Sequence, residues 1–228
     1  IDHYKKIFEC LAKYKLTPFV TLWHFSLPKW FTDMGGFEKK DNIRHYVNYC
    51  KLIGTTFQYE MKYIFTMNEP EIYAYHSYLI KKWPPQKGKY LLYLKIQKNL
   101  ALAHKRAYED LKSIKPEFQI GVAKNNQVFQ ADRPNNPLDH LFAIILKQRW
   151  NLYFMDMIKK HQDFIGLNYY FYRCVRADWK LMKEFCQVSY PTPRKTDMNW
   201  EVYPKGLYVA LKELYKRYKK PIIISETG

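Results

Sequence analysis

Three features of the sequence predict a parallel α/β fold. Amphipathic helical stretches alternate with short apolar runs along all 228 residues. The runs carry β-branched and aromatic residues on both faces, as strands covered on both sides of a parallel sheet do. Four of the five runs stop at polar side chains: His24, Asn68-Glu69, Asn168-Tyr170 and Glu226. In a barrel-type parallel sheet the carboxyl ends of the strands converge on one cavity and carry the chemistry.

The elements follow in order. Ile1, Tyr4, Ile7, Phe8 and Leu11 recur at three and four positions and predict an amphipathic helix. Pro18 ends it, and a strand over 19–24 follows. Ile43, Tyr46, Val47, Cys50, Ile53, Gly54 and Phe57 trace a second helical face, before a strand ending at Asn68-Glu69. The stretch 71–114 is interrupted at Trp83-Pro84-Pro85, which no helix interior tolerates. Its second half presents Leu100, His104, Ala107 and Leu111 on one face. A short strand spans 119–123, turn residues make 132–137 a loop, and a helix is expected over 138–158. The fourth strand covers 163–170. The segment 173–199 is the least periodic and reads as a long excursion with weak elements. Pro204 opens a last helix, with Leu207, Ala210, Leu211, Leu214, Tyr215 and Tyr218 as its buried stripe, and 221–226 is the last strand. Units of this kind imply right-handed crossovers and a single domain over residues 1–228.

Composition narrows the function classes. Hydrophobic residues make up 47% and aromatics 18%, which suits a globular core and excludes a disordered chain. The net charge is +17. The lysines are scattered as pairs such as Lys5-Lys6 and Lys219-Lys220, without a block of like charge or an RNA-binding signature, so no specific nucleic-acid partner is expected. No apolar run reaches a membrane span, so no membrane partner is expected either. Cys10, Cys50, Cys174 and Cys186 form no C-x-x-C pair, which points to free thiols in a reducing, cytoplasmic setting. The sequence starts at Ile1, and any signal peptide falls outside it. No G-x-G-x-x-G or G-x-x-x-x-G-K-[ST] is present, so nucleotide-binding readings lack their phosphate cradle.

Two carboxylates remain as the chemical core. Glu69 lies where Pro70 stops the strand ladder. Its bland reading is a helix cap; its functional reading is a general acid whose pKa is raised by burial and a nearby negative charge. Asn68 points to the opposite face of a regular pleat, and a bulge would bring both toward a ligand. Glu226 ends a strand too apolar to be a frayed tail. Two carboxylates at one sheet edge are the minimum machinery for glycosidic cleavage. His24 alone reads as a structural histidine, and Asn168 and Tyr170 are weak alone; their coincidence at the strand ends carries the argument.

The motifs that hold these residues resemble glycoside hydrolase family 1, the β-glucosidase and β-galactosidase family. Thr21-Leu22-Trp23-His24-Phe25-Ser26-Leu27-Pro28 is similar to its T-L-x-H-W-D-x-P, Gly35-Gly36-Phe37 to G-G-W, and Thr66-Met67-Asn68-Glu69-Pro70 to T-F-N-E-P. Asp163-Phe164-Ile165-Gly166-Leu167-Asn168-Tyr169-Tyr170 is similar to D-F-I-G-I-N-Y-Y. Trp200-Glu201-Val202-Tyr203-Pro204-Lys205-Gly206-Leu207 is similar to W-E-I-Y-P-x-G-L, and Ile224-Ser225-Glu226-Thr227-Gly228 to I-T-E-N-G. The resemblance implies a (β/α)8 barrel and a retaining mechanism, with Glu69 as acid/base and Glu226 as nucleophile about 5 Å from it. It also implies that His24 and Asn68 bind sugar hydroxyls, that Tyr170 orients the nucleophile, and that Asn125 lies on the leaving-group side. The implied partner is a β-glycoside or oligosaccharide; no metal or cofactor is implied.

Phe25, Ser26 and Thr227 depart from the family pattern at the pocket rim. The resemblance runs from just before the family's third strand to its seventh, so the barrel is expected to be incomplete, lacking strands 1, 2 and 8. That leaves two apolar sheet edges unpaired. The isolated chain is therefore expected to be poorly soluble and inactive. Two rivals stand beside the glycosidase: a non-catalytic carbohydrate-binding barrel, and a basic nucleic-acid-interacting protein.

Overall fold

The computed structural model describes residues 1–178, 180, 187–188 and 194–228. Two compact units divide the chain: Ile1–Ala123 with Lys160–Phe164, and Lys124–Lys159 with Ile165–Gly228. The division falls within the third strand.

Unit 1 is built from helix α1 (Asp2–Lys13), strand β1 (Phe19–Thr21), helices α2 (Lys29–Asp33) and α3 (Ile43–Thr56), strand β2 (Tyr63–Asn68), helices α4 (Pro70–Tyr78) and α5 (Tyr90–Ile114), and most of strand β3 (Gln119–Asn125). β1, β2 and β3 pair in parallel, Phe19 opposite Tyr63 and Tyr63 opposite Gln119. β2 is apolar on both faces because sheet neighbours and helices cover it; Ile64, Phe65 and Met67 are buried. α3 packs against α5. Leu100, His104, Ala107 and Leu111 of α5 are all buried, the face read from their spacing. α1 differs from expectation: only Phe8 of its apolar face is buried, while Ile1, Tyr4 and Ile7 are exposed. β1 stops at Thr21, short of the expected His24. Its pairing nevertheless runs on, with Leu22 N donating to Phe65 O and Asn68 N to Trp23 O (both 2.9 Å).

Unit 2 contains strand β4 (Val128–Ala131), helix α6 (Pro137–Lys147), a π-helical turn (Gln148–Leu152), helix α7 (Tyr153–Ile158) and strand β5 (Ile165–Tyr169). Strands β6 (Tyr172–Val175) and β7 (Gln187–Val188), helix α8 (Pro204–Tyr218) and strand β8 (Ile222–Thr227) complete it. β5 and β8 run parallel, Ile165 opposite Ile222. β4, β6 and β7 form a second, three-stranded sheet that the sequence did not announce. α6 starts where Asn136 Oδ1 accepts from Leu138 N (2.9 Å) with Pro137 in the first turn, a side-chain cap plus a residue that loses no hydrogen bond there.

The single helix expected over 138–158 is broken by the π-turn. Asn151 explains the break. Its Oδ1 accepts from Gln127 N (3.1 Å) and its Nδ2 donates to Gln127 O (2.7 Å), so a buried tertiary pair holds this turn against helical regularity. On α8, Ala210 and Leu214 are buried as expected, but Tyr215 is exposed. The excursion 173–199 lies partly outside the described residues, as does Cys186. Cys10, Cys50 and Cys174 are free thiols. Among the described residues no helix is long and apolar enough to cross a membrane, and no three or more metal-ligating side chains gather.

Candidate active site

In unit 1, β2 delivers Asn68 and Glu69 to its carboxyl end, 2% and 6% exposed. Glu69 adopts φ 42°, ψ 57°, a left-handed conformation unfavourable for a side chain with a Cβ. Three backbone bonds hold it there. Its N–H donates to Ala123 O (2.7 Å), and its carbonyl accepts from Ile72 N (3.0 Å) and Tyr73 N (3.2 Å) at the head of α4. Pro70, with φ fixed and no N–H, occupies the first helical position at no hydrogen-bond cost. The register of β2 against β3 slips between Phe65 and Asn68. This irregularity is the bulge that lets Asn68 and Glu69 leave the strict alternation of the pleat.

His24 meets Asn68: Asn68 Nδ2 donates to His24 Nε2 at 3.2 Å. The histidine is exposed, not sealed in an apolar setting. It is presented by a tight turn at Phe25 (φ 68°), closed by Ser26 N donating to His24 O (2.8 Å). Buried Trp23 locks the turn by donating Nε1–H to Ser26 O (2.9 Å). Two left-handed non-glycine residues, Phe25 and Glu69, thus frame this half of the site. Such backbone strain gathers where geometry is constrained for a purpose.

Behind β2, Thr66 Oγ1 donates to His104 Nδ1 (2.7 Å), and His104 Nε2–H donates to His161 O (2.6 Å). Burial pulls the His104 pKa down to about 4, so the ring is neutral and needs this one tautomer. Tyr46 donates its hydroxyl to Thr66 O, fixing the strand three residues before Glu69.

In unit 2, β5 and β8 place Asn168 beside Glu226, with a register slip between Leu167 and Asn168. Asn168 is fully buried and accepts at Oδ1 from Ser225 Oγ (2.6 Å). Half-buried Glu226 accepts at Oε2 from the Tyr170 hydroxyl. A phenol donating to a carboxylate fixes its rotamer. Trp200 packs on Tyr170, ring centroids 5.4 Å apart, and backs that phenol. Asn125 is buried; its Oδ1 stands 3.5 Å from both Gln127 Nε2 and Trp150 Nε1. Its neighbour Lys124 is fully buried and donates Nζ to Asn125 O (2.5 Å).

The structure therefore brings His24, Asn68 and Glu69 together in unit 1, and Tyr170, Asn168 and Glu226 together in unit 2. Ser225 and Trp200 were missed as supports. Both lay inside motifs read only as family markers, and a hydroxyl next to a strand-end carboxylate was the available signal. Lys124 had only its charge, in an otherwise apolar strand, to mark it.

Parallel strands that end in amides and carboxylates put these groups at the carboxyl edge, where α/β folds carry their chemistry. The sequence profile of Glycosyl hydrolase family 1 matches residues 1–157 and 152–228. The chain is 26% identical to beta-glucosidase A of Thermotoga maritima, over 100% of this chain and 57% of that protein. It is 28% identical to a 6-phospho-beta-glucosidase of Clostridium longisporum, over 100% of this chain and 56% of that protein. Among solved structures, a beta-glycosidase from Pyrococcus horikoshii superposes with a TM-score of 0.89 at 33% identity, over 99% of this chain and 56% of that one. The chain belongs to glycosyl hydrolase family 1. Strands β1, β2, β3, β5 and β8 are strands of that family's (β/α)8 barrel, and the chain spans a little over half the length of these relatives.

Proposed function

We propose that residues 1–228 are part of the catalytic domain of a retaining β-glycosidase acting at the non-reducing end of β-glucosides or related β-glycosides. Glu226 attacks the anomeric carbon, and the bond to the leaving oxygen breaks as Glu69 gives that oxygen its proton. Glu69 then takes a proton from water, whose oxygen displaces Glu226 from the sugar. His24 and Asn68 receive sugar hydroxyls, Tyr170 holds the nucleophile, and Asn125 stands toward the leaving group. The protein works in the cytoplasm, consistent with its free thiols.

The observation that carries this reading is the Tyr170–Glu226 hydrogen bond at the end of β8. A carboxylate with a purely structural task has no need of a phenol that fixes its orientation while leaving it half-exposed. A 2-deoxy-2-fluoro β-glucoside with a good leaving group tests it. Glu226 is expected to carry the trapped sugar in peptide mass spectra. Absence of label in a folded enzyme that turns over ordinary β-glucosides, or label on another residue, removes the assignment.

A further inference from the structure

Unit 2 exposes two kinds of surface on neighbouring helices. On α6, Leu138, Leu141, Ile144 and Ile145 are each about half exposed, while Asp139 and Ala143 are buried. On α8, Tyr208 and Tyr215 are exposed by more than half. Lys205, Lys212 and Lys219 stand three or four residues from these tyrosines and are exposed too. One face of α8 and its carboxyl-terminal cap thus alternates cation and phenol over about 21 Å. The stripe of α8 that turns inward is a different one, Ala210 and Leu214. Lys147 Nζ on Glu213 Oε1 (3.1 Å) ties the two helices together.

The two helices carry one carboxylate each, and both are paired. Asp139 is fully buried on Arg133 (2.7 Å), and Glu213 is the partner of Lys147. The exposed lysines of α8 therefore set the sign of this face. Their ammonium groups stay over their own tyrosines: Lys212 Nζ lies 5.7 Å from the Tyr208 ring centre, and Lys219 Nζ lies 5.2 Å from that of Tyr215. Such contacts hold the cations on the face without neutralising them. Four aliphatic side chains along one helix ordinarily close onto a core. Here they turn to solvent beside a cationic, aromatic stripe.

This chemistry selects its occupant. A second copy brings another +17 and is repelled. A nucleic-acid strand uses the cations and phenols but leaves the aliphatic stripe without a partner. An anionic bilayer uses all three: acyl chains receive leucine and isoleucine, phenols sit at headgroup level, and lysine stems reach the lipid phosphates. We infer that the outward face of α6 and α8 docks on an anionic lipid surface, lying against it without crossing it. That no helix among the described residues is long and apolar enough to span a membrane bears on crossing alone. The inference goes beyond the glycosidase reading and uses neither Glu69 nor Glu226.

Flotation of the full 228-residue chain with vesicles of phosphatidylserine and phosphatidylcholine tests it, since bound protein rises while aggregates sink. Circular dichroism checks the folding of each variant. Binding is expected to the mixed vesicles and not to phosphatidylcholine alone. It should weaken as salt shortens the Debye length from about 10 Å at 0.1 M to about 3 Å at 1 M. Leu141→Glu is expected to weaken it by at least about tenfold, and so is Lys212→Ala combined with Lys219→Ala. Lys5→Ala combined with Lys6→Ala removes the same charge from α1, where both side chains are exposed, and is expected to leave binding unchanged. The proposal is overturned if the folded chain does not float with the mixed vesicles. Undiminished binding in Leu141→Glu, or an equal loss in the α1 pair, overturns it as well, because bulk charge would then be the cause. An oligothymidylate bound more tightly than the vesicles through Lys212 and Lys219 would give the face to nucleic acid. A stable dimer at low salt without vesicles, separated by Leu141→Glu, would give it to a second copy. Failure of the fluorosugar to label Glu226 leaves the flotation result untouched, so the two readings fail separately.

Discussion

His104 shows how a single side chain ties the candidate site to pH. Its folded pKa is about 4 against an ordinary 6.5, because burial opposes the charged ring. Between those values the unfolded chain binds more protons than the folded one. Stability is therefore full above about pH 6.5 and falls as pH drops toward 4, by roughly 3 kcal/mol from this residue. Urea denaturation across that window measures the slope. His104→Gln is expected to flatten it while lowering stability at pH 7, since the bridge from Thr66 to His161 is lost. Parallel slopes in the two proteins would assign the pH dependence to another group. Asp139 adds a second acid-sensitive point. Arg133, donating from Nε at 2.9 Å, holds its carboxyl well below the usual carboxylate range, so its contribution is full above that range and is lost as pH falls from it through the lower folded value.

At the scale of elements, periodicity was a sound guide wherever one helix face meets one partner. α3 and α5 follow their apolar spacing, and β2 ends where Pro70 ends the ladder. The failures have tertiary causes. β4 and β6 stabilise each other in the second sheet, and neither has a pattern strong enough to be read alone. The break after α6 depends on Asn151 pairing with the backbone of Gln127, twenty-four residues away, and no local signal encodes such a partner. The αL turn at Glu69 was foreseen only as a needed bulge or bend; of the three bonds that hold it, the one from its N–H to Ala123 O comes from a distant segment. Close approach makes a sharper test in β3. A Cβ at Gly121 would sit 2.5 Å from the backbone oxygen of Phe164, which cannot swing aside. Gly121→Ala is expected to cost about 1–3 kcal/mol by thermal or denaturant melts, and a neutral substitution would show that this strand can shift.

For the whole molecule, charge and exposed apolar surface oppose each other. A net charge of +17 makes copies repel, while α6 exposes Leu138, Leu141, Ile144 and Ile145 along one stripe. Salt weakens only the repulsion, shrinking its range from about 30 Å at 0.01 M to about 3 Å at 1 M. Light scattering is expected to rise over that range, and Ile144→Lys to suppress the rise; scattering that falls with salt would mean that charge pairing drives association. At position 69, durability and chemistry pull in opposite directions. An L-residue held at φ 42° carries a penalty of about 1–2 kcal/mol that glycine escapes, against glycine's own loss of about 0.5–1 kcal/mol from a freer unfolded chain. Glu69→Gly should thus melt no lower than the parent, and be up to about 1.5 kcal/mol more stable, while losing the side chain proposed as the proton donor. Selection for thermal robustness alone would erase this glutamate; the proposed acid/base role supplies the reason for a carboxylate in so awkward a backbone.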